Sequence, residues 1–286
     1  MWAFGFSGLM LATGLTPFAV RFRPFRPDVS LTAYHWGVIA VVPAAGKGTR
    51  MVSVTGGLPK ELLEVGGRPV LARVLEEARS AGVDGVVVVN SRAKAEVDEV
   101  LGLWSRTQFA DLPIRVAYQE EARGLAHAVA AAGVDDDVIV MVGDVVFRGG
   151  SPCERMANLI FRGIDGCVAV EQVAEAQMHL YGIVELDDMT GSITRILEKP
   201  RPGDTKSRWA VASRWAFSRM AMELINDYCQ NPARLAMPKE INLTETINLA
   251  IEQGMEFKAA ALQPAQERVD CGSAEEYLAA KRLQWE

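Results

Sequence analysis

The sequence predicts an α/β fold with a doubly wound, mostly parallel central sheet and added antiparallel strands. Over residues 38–142, short apolar runs alternate with segments of helical spacing, as in βαβ units whose strands are buried on both faces. After residue 150 the apolar runs are separated only by short turns, which favours antiparallel strands. The 286 residues are 49% hydrophobic, which is enough for one large domain or two small ones.

The first half alternates strictly between strand and helix. Its predicted strands are 38–42, 86–89, 114–118 and 138–142, and its predicted helices are 69–81, 93–101 and 125–132. Successive parallel strands joined by right-handed crossovers form a Rossmann-like sheet. In such a sheet, ligands bind beyond the carboxyl ends of the strands. The loop after residue 42, Gln119 and Asp144 all follow strand ends, so we expect them to meet at one edge.

The second half supplies the antiparallel strands and three further helices. The predicted strands are 167–173, 181–186, 193–197 and 209–217, and the predicted helices are 219–229, 243–253 and 274–283. Ser273 and Glu276 have capping-box spacing at the start of the last helix, and Asn242 and Glu245 have the same spacing at the helix before it.

The first 36 residues differ from the rest of the chain. Residues 1–20 carry no charge, and the basic residues Arg21, Arg23 and Arg26 follow. This order does not fit a secretory signal peptide, whose basic residues come first. A membrane anchor, an unstructured extension and an overlong start remain open. We expect residues 1–36 to be an extension outside the fold rather than an anchor, and residues 37–286 to form the domain.

Composition limits the partners of the chain. A net charge of −6 and a pI of about 5.3 argue against nucleic-acid binding, so any phosphate site must be local. The four cysteines show no CxxC spacing and the three histidines are isolated, which indicates neither a disulfide framework nor a zinc site. We therefore expect reduced thiols and a cytoplasmic location.

The stretch VPAAGKGTR at 42–50 follows the first strand, and a further lysine, Lys60, comes ten residues later. It is not a P-loop, because Val41 stands where that motif needs a glycine, and Met51 replaces the third glycine of a dinucleotide fingerprint. Small residues let the backbone approach a ligand closely. Arg50 can bind phosphate oxygens bidentately, and Lys60 adds a mobile charge. An anion site and a tight turn with solvated cations both fit this loop.

Together with Pro59-Lys60-Glu61, the loop resembles the signature of the sugar-1-phosphate nucleotidyltransferases. Further matches follow in the family's order and cover the chain apart from its N-terminal extension: Gln119, Gly124-Leu125, Gly143-Asp144, Tyr181-Gly182, Glu198-Lys199-Pro200, Asn242-x-Thr244-Glu245 and Asp270-x-Gly272. The pattern is most similar to the bacterial UTP–glucose-1-phosphate uridylyltransferases. Two positions depart from it, since Arg208 replaces an asparagine and Ser213 a glycine of a segment near the sugar.

The resemblance implies that a sugar 1-phosphate attacks the α-phosphorus of UTP, or of TTP, and releases pyrophosphate. Because two polyanions must meet, this chemistry needs cations and a metal. The implied catalytic residues are Arg50, Lys60, Asp144 and Lys199, and the implied Mg²⁺ ligands are Asp144 and Asp270. The implied nucleotide-binding residues are Ala44, Ala45, Gly46, Gly48, Glu61, Gln119 and Gly124. Those implied for the sugar, in the half with antiparallel strands, are Gly182, Glu198 and Lys199.

Each implied role has a structural alternative. Asp144 can serve as a cap and Asp270 as a turn residue, while Glu61 fits either a ligand contact or a helix start. A thymidylyltransferase, a cytidylyl- or guanylyltransferase and a non-catalytic nucleotide-binding paralogue are the alternative functions. The family is usually dimeric or tetrameric, which implies a homo-oligomer, although this chain is short in one insertion used in such contacts.

Overall fold

The protein is described here by a computed structural model covering residues 37–235, 237 and 240–285, excluding the side chains of residues 50, 52 and 232. The extension at residues 1–36 lies outside the described residues. Within them the strands are β1 (Val38–Pro43), β2 (Glu64–Val65), β3 (Arg68–Pro69), β4 (Gly85–Asn90), β5 (Ile114–Tyr118), β6 (Asp137–Met141), β7 (Val145–Arg148), β8 (Gly166–Gln172), β9 (Gly182–Leu186), β10 (Ile193–Glu198), β11 (Trp209–Phe217), β12 (Phe257–Ala261) and β13 (Glu267–Asp270).

The helices connect these strands or flank them. They are α1 (Val52–Thr55), α2 (Val70–Ser80), α3 (Ala95–Trp104), α4 (Leu125–Ala131), α5 (Cys153–Phe161), α6 (Arg219–Gln230), α7 (Pro232–Leu235), α8 (Leu243–Glu252) and α9 (Ala274–Ala280), with 3₁₀ turns at Thr49–Met51, Lys60–Leu62 and Glu175–Leu180. No helix of the described residues has the length and apolar character needed to cross a membrane.

The central sheet has the strand order β10-β9-β11-β6-β1-β4-β5, and β8 and β12 extend it along β11. Strands β6, β1, β4 and β5 are parallel, whereas β11 runs antiparallel to β6, β8 and β9. The chain runs outward from β1 through β4 to β5 and then returns to β6 on the other side of β1. This reversal makes the carboxyl ends of β1 and β6 the place where a ligand crevice is expected.

Apolar side chains cover both faces of the sheet, which confirms the doubly wound arrangement. One cluster joins the sheet to α2, α3 and α5 through residues such as Leu71, Leu101 and Met156. The other joins it to α4, α6 and α8 through residues such as Val129 and Ile247. Because β4 is buried at every position, its sequence GVVVVN shows no alternation of polar and apolar residues.

A buried ion pair crosses the first of these faces. Arg214 of β11 is fully buried and donates to both carboxylate oxygens of Glu77 in α2, at 2.9 and 2.6 Å. It also donates to the carbonyl oxygen of Val145 at 2.8 Å. The pair therefore links α2 to the segment that directly follows Asp144.

The antiparallel half contains a distortion in β11. The register of β11 against β8 shifts between Val211 and Trp215, and Ser213 inside that interval has a φ of 56°. A left-handed residue within a strand marks a bulge. Ser213 therefore keeps the backbone form that suits the glycine of the family pattern.

The predicted strands and helices of both halves are present, with ends shifted by a few residues; α9, for example, ends at Ala280 rather than at residue 283. The elements without a sequence prediction are β7, β12, β13, the β2–β3 hairpin, α1, α5, α7 and the three 3₁₀ turns. Two of them matter for the site, because β7 and β13 pair antiparallel with Asp270 opposite Val145.

Candidate active site

The loop after β1 is held by backbone contacts to the neighbouring strands. The amide of Ala44 donates to the carbonyl oxygen of Val89 in β4 at 2.8 Å, and the amide of Gly143 donates to that of Pro43 at 3.1 Å. Ala44 and Ala45 are buried, whereas Gly46 is exposed. A Cβ atom on Gly143 would lie 3.0 Å from the Pro43 carbonyl oxygen, so the two strand ends approach closely because residue 143 is a glycine.

Lys60 and Asp144 face each other at this edge of the sheet, although 84 residues separate them in sequence. Lys60 opens the 3₁₀ turn Lys60–Leu62, and its ammonium group donates to Oδ2 of Asp144. A Cβ atom on Gly48 would lie 3.7 Å from Cδ of Lys60. The loop, the lysine and the carboxylate thus lie together at the carboxyl ends of β1 and β6.

The described part of the chain does not include the side chain of Arg50. Its backbone belongs to the 3₁₀ turn Thr49–Met51, which the amide of Met51 closes onto the carbonyl oxygen of Gly48 at 2.8 Å. The turn begins one residue after Gly48, whose φ of +63° lies in the left-handed region. The role of the Arg50 side chain stays a prediction.

Glu61 lies beneath the loop and forms an ion pair that the sequence did not reveal. Its side chain is 1% exposed, and both carboxylate oxygens accept hydrogen bonds of 2.9 Å from Nζ of Lys94. The same ammonium group donates to the carbonyl oxygen of Ala44 at 2.7 Å. Burial raises the pKa of Glu61 and lowers the pKa of Lys94, while their mutual attraction opposes both shifts.

Asp270 reaches the site through the β7–β13 pair. The amide of Cys271 donates to the carbonyl oxygen of Asp144 at 2.8 Å, which joins the two aspartate segments directly. Arg268 forms an ion pair with the Asp270 carboxylate. Burial is the main reason that the pKa of Asp270 is raised, and the carboxylates of Glu276 and Asp144 raise it further against the opposing effect of Arg268.

The two aspartates fit a magnesium ion better than a metal held by protein alone. Within the described residues, no group of three or more His, Cys, Asp or Glu side chains is placed to hold a metal ion. Mg²⁺ commonly binds through one or two carboxylates and completes its shell with phosphate oxygens and water. The Asp144 carboxylate contributes to the raised pKa of Asp270, as expected for two carboxylates within electrostatic reach of each other.

Gln119 and Gly124 lie together at the end of β5. The amide of Gln119 donates to the carbonyl oxygen of Asn90 at 3.0 Å, and its side-chain nitrogen donates to that of Gly124 at 3.1 Å. The same nitrogen lies 3.0 Å from Nδ1 of His127. Burial, followed by the charge of Arg123, lowers the pKa of His127, which favours a neutral ring packed beside Gln119.

The residues predicted for the sugar meet where β9 pairs with β10. Gly182 lies opposite Glu198 in the register of these strands, and a Cβ atom on Gly182 would lie 3.4 Å from Oε2 of Glu198. That oxygen accepts a 2.8 Å hydrogen bond from Oγ1 of Thr244 in α8. The amide of Lys199 donates to the carbonyl oxygen of Tyr181 at 3.0 Å, and the lysine is exposed.

Arg268 connects the sugar end to the aspartates. Its guanidinium group lies 5.0 Å from the ring centre of Tyr181, pairs with Asp270 and also donates to Oε1 of Glu171 at 2.6 Å. Contacts therefore run from Lys60 through Asp144, Asp270 and Arg268 to Tyr181, whose carbonyl oxygen accepts the amide of Lys199.

A cavity of about 390 Å³ lies beside the Lys199 segment and has several basic side chains in its wall, including Arg201, Lys206 and Arg208. Arg208 forms an exposed ion pair with Glu175 at 3.0 Å. The residue that replaces the family asparagine thus contributes its charge to the wall of this cavity.

The chain is similar to proteins of one known family. The profile of the family described as "Nucleotidyl transferase" matches residues 39–284. The chain is 26% identical over 233 residues to the UTP–glucose-1-phosphate uridylyltransferase of Staphylococcus epidermidis, covering 73% of this chain and 79% of that protein. It is 27% identical over 204 residues to the enzyme of the same name from Bacillus subtilis, covering 63% of this chain and 70% of that protein.

A similar solved structure is the UTP-bound UGPase from Acinetobacter baumannii, with a TM-score of 0.71 and 26% identity, covering 85% of this chain and 91% of the other. A UDP-glucose pyrophosphorylase complexed with UDP-glucose has a TM-score of 0.73 at 24% identity, covering 85% and 96% of the two chains. The second likeness concerns the fold alone, and it confirms the mixed α/β sheet.

Proposed function

The chain belongs to the nucleotidyl transferase family, and we propose that it transfers UMP from UTP to glucose 1-phosphate, giving UDP-glucose and pyrophosphate. The observation that carries the proposal is the meeting of Lys60 with Asp144 at the edge where the Ala44 loop ends, beside Asp270. A cation and two carboxylates around a small-residue loop suit a metal-bound triphosphate. The substrate identities rest on the relatives at 26% and 27% identity.

In the proposed reaction, the protein neutralises and aligns two phosphate groups. Arg50 would hold the β- and γ-phosphates, Lys60 would contact the α-phosphate as negative charge builds there, and Lys199 would hold the phosphate of the sugar. The attacking phosphate oxygen is already anionic near neutral pH, so the reaction needs no general base. Holding both reactants in line then accounts for much of the rate.

Asp144 and Asp270 would hold Mg²⁺, which when bound supplies charge neutralisation for the triphosphate. The ion pair of Asp270 with Arg268 and the hydrogen bond from Cys271 to Asp144 support this role, because they fix both aspartate segments. Lys60 shares Asp144 with this site, so its ammonium group would be close to the metal-bound phosphates.

The nucleoside would lie against the loop and the end of β5. A flat pyrimidine fits beside small residues, and the proposed contacts are Ala44, Ala45, Gly46, Gly48, Gln119 and Gly124. The Gln119 nitrogen donates within the protein, so its oxygen is the atom offered to a pyrimidine N–H. At the other end, Glu198 and the amide of Gly182 would bind sugar hydroxyls.

Four free cysteines agree with a cytoplasmic location.

The test is pyrophosphate release with Mg²⁺, each nucleoside triphosphate and a panel of sugar 1-phosphates. We expect the highest kcat/KM with UTP and glucose 1-phosphate. Release with TTP alone would assign the thymidylyl branch instead, and release with CTP or GTP and a different acceptor would assign another transferase. Silence across the panel would contradict the proposal and favour a nucleotide-binding protein without turnover.

A further inference from the structure

We propose that Lys94 is a positioning residue of the nucleotide site, which fixes the Ala44 loop and the turn that carries Lys60 in one arrangement. This inference rests on the proposed function, since it concerns the same nucleotide. Lys94 does not belong to the loop signature or to the other motifs of the family resemblance. Its importance follows from what its buried ammonium group contacts.

The ammonium group of Lys94 satisfies oxygen atoms from two separate segments. It donates to the carbonyl oxygen of Ala44 at 2.7 Å and to both carboxylate oxygens of Glu61 at 2.9 Å. The amide of Ala44 is also used, because it donates to Val89 at 2.8 Å. Both polar groups of Ala44 are thus fixed, and its remaining freedom to move is small.

The pair orients the turn that presents Lys60. Glu61 points into the protein toward Lys94 and is 1% exposed, whereas its neighbour Lys60 reaches Asp144. Two consecutive side chains of this 3₁₀ turn therefore have different partners, because Glu61 pairs with Lys94 and Lys60 pairs with Asp144. If Glu61 lost its partner, the turn could rotate, and the direction of the Lys60 side chain would change with it.

Lys94 is itself held by Asn90, the last residue of β4, and Asn90 also supports Gln119. Nδ2 of Asn90 donates to the carbonyl oxygen of Lys94 at 3.0 Å and to Oδ1 of Asp98 at 2.8 Å. The hydroxyl of Tyr118 donates to Oδ2 of Asp98 at 2.8 Å. The carbonyl oxygen of Asn90 accepts the amide of Gln119. One buried network thus supports the loop, the Lys60 turn and Gln119.

A buried ion pair gains little stability over well-packed apolar residues, because both charges must leave water. The ion pair instead fixes the orientation of the groups it joins, because each hydrogen bond constrains an angle as well as a distance. The three contacts of Lys94 converge on the two segments that border the proposed triphosphate. We therefore expect its loss to reduce use of the nucleotide far more than use of the sugar phosphate.

The experiment compares wild-type protein with Lys94→Met and with the double variant Lys94→Met/Glu61→Gln. The double variant removes both charges of the pair, so neither is left buried without a partner. The matched control is Arg155→Met, because Arg155 also donates to a backbone carbonyl oxygen, that of Ala261 at 2.7 Å, outside the site. In both Lys94 variants we expect kcat/KM for UTP to fall by about 10- to 100-fold. We expect KM for glucose 1-phosphate to stay within about twofold, and the control to match wild type.

Calorimetric titration of UTP without the sugar phosphate provides a second measurement that needs no turnover. We expect weaker UTP binding in both Lys94 variants and unchanged binding in the control. Unchanged UTP affinity and kcat/KM would overturn the role of Lys94, and so would an equal loss for both substrates. If Lys94→Met does not fold, the double variant decides alone. Failure of the proposed reaction is separate, because wild-type protein would then release no pyrophosphate.

Discussion

Lys199 adopts a backbone conformation that is uncommon for a residue with a side chain. Its φ is 47°, in the left-handed region that costs a non-glycine residue about 1–2 kcal/mol. The hydrogen bond from its amide to Tyr181 helps to hold this form. Lys199 directly follows Glu198, the last residue of β10. Its left-handed backbone therefore interrupts the alternation of side chains between the two faces of the strand. Strain retained at this point agrees with a ligand-binding role.

We predict that Lys199→Ala impairs use of the sugar phosphate selectively. Loss of a charged hydrogen bond to the phosphate should raise KM for glucose 1-phosphate roughly 10- to 100-fold, while the affinity for UTP measured by calorimetry stays unchanged. Lys206→Ala is the matched control, because Lys206 is an exposed lysine in the wall of the neighbouring cavity. An equal loss of UTP and sugar-phosphate binding in Lys199→Ala would contradict its role.

Ser213 provides a second prediction at the scale of one residue. Its φ of 56° suits glycine, so Ser213→Gly should raise the free energy of unfolding by about 0.5–1 kcal/mol as measured by urea denaturation. Ala212→Gly, one position earlier at negative φ, should lower it, because glycine weakens an ordinary strand. A destabilised Ser213→Gly would show that the serine side chain contributes more than the backbone strain costs.

The sequence could place candidate site residues where they follow strand ends or belong to recognisable motifs, and their roles stay predictions. The position of Asp144 at a strand end was predictable, because the parallel strand before it is an uninterrupted apolar run. Lys94 was not, since its role depends on burial against Glu61, 33 residues away. Arg214 was missed for the same reason, because an arginine in a strand gives no sign that its partner, Glu77, lies in a helix 137 residues earlier.

The start of α4 contacts the segment before α8 at the proposed nucleobase end of the site. The amide of Ala126 donates to the carbonyl oxygen of Ile241 at 3.1 Å, and the amide of Ile241 donates to that of Arg123 at 2.7 Å. A Cβ atom on Gly124 would lie only 2.4 Å from the Ile241 carbonyl oxygen. The two segments can approach this closely because residue 124 has no side chain.

We predict that Gly124→Ala separates these elements and weakens UTP binding. Gly133→Ala is a close control, because both glycines have positive φ but a Cβ atom on Gly133 would meet nothing within 4 Å. Gly124→Ala should lower the free energy of unfolding by about 1–3 kcal/mol more than Gly133→Ala. Urea denaturation and calorimetric UTP titration measure both effects. Equal behaviour of the two variants would show that the close contact does not matter.

The elements that the sequence missed are those whose pairing depends on distant chain. Strand β7 has only four residues and follows Asp144 directly, so its pattern is too short to separate from a turn. Its partner β13 lies more than a hundred residues later. The long buried strands β1, β4 and β6 were predictable, because a run of apolar β-branched residues carries its own signal.

At the scale of the whole molecule, the doubly wound sheet brings distant pieces of sequence to one edge. Lys60, Asp144 and Asp270 come from three widely separated segments: Lys60 opens a 3₁₀ turn, Asp144 follows β6, and Asp270 is the last residue of β13. Apolar packing on both faces of the sheet holds these strand ends in place. The order of the site therefore depends on the integrity of the entire core.

The cysteines make that dependence measurable, because all four are buried and free. Burial raises the pKa of the Cys167, Cys229 and Cys271 thiols to about 12 and that of Cys153 well above its usual value. A raised pKa leaves about one molecule in ten thousand as reactive thiolate at pH 8. We predict almost no reaction of the native protein with a chromogenic disulfide reagent within minutes, and reaction of all four thiols in urea. Rapid labelling of one native thiol would instead reveal a locally open core around that cysteine.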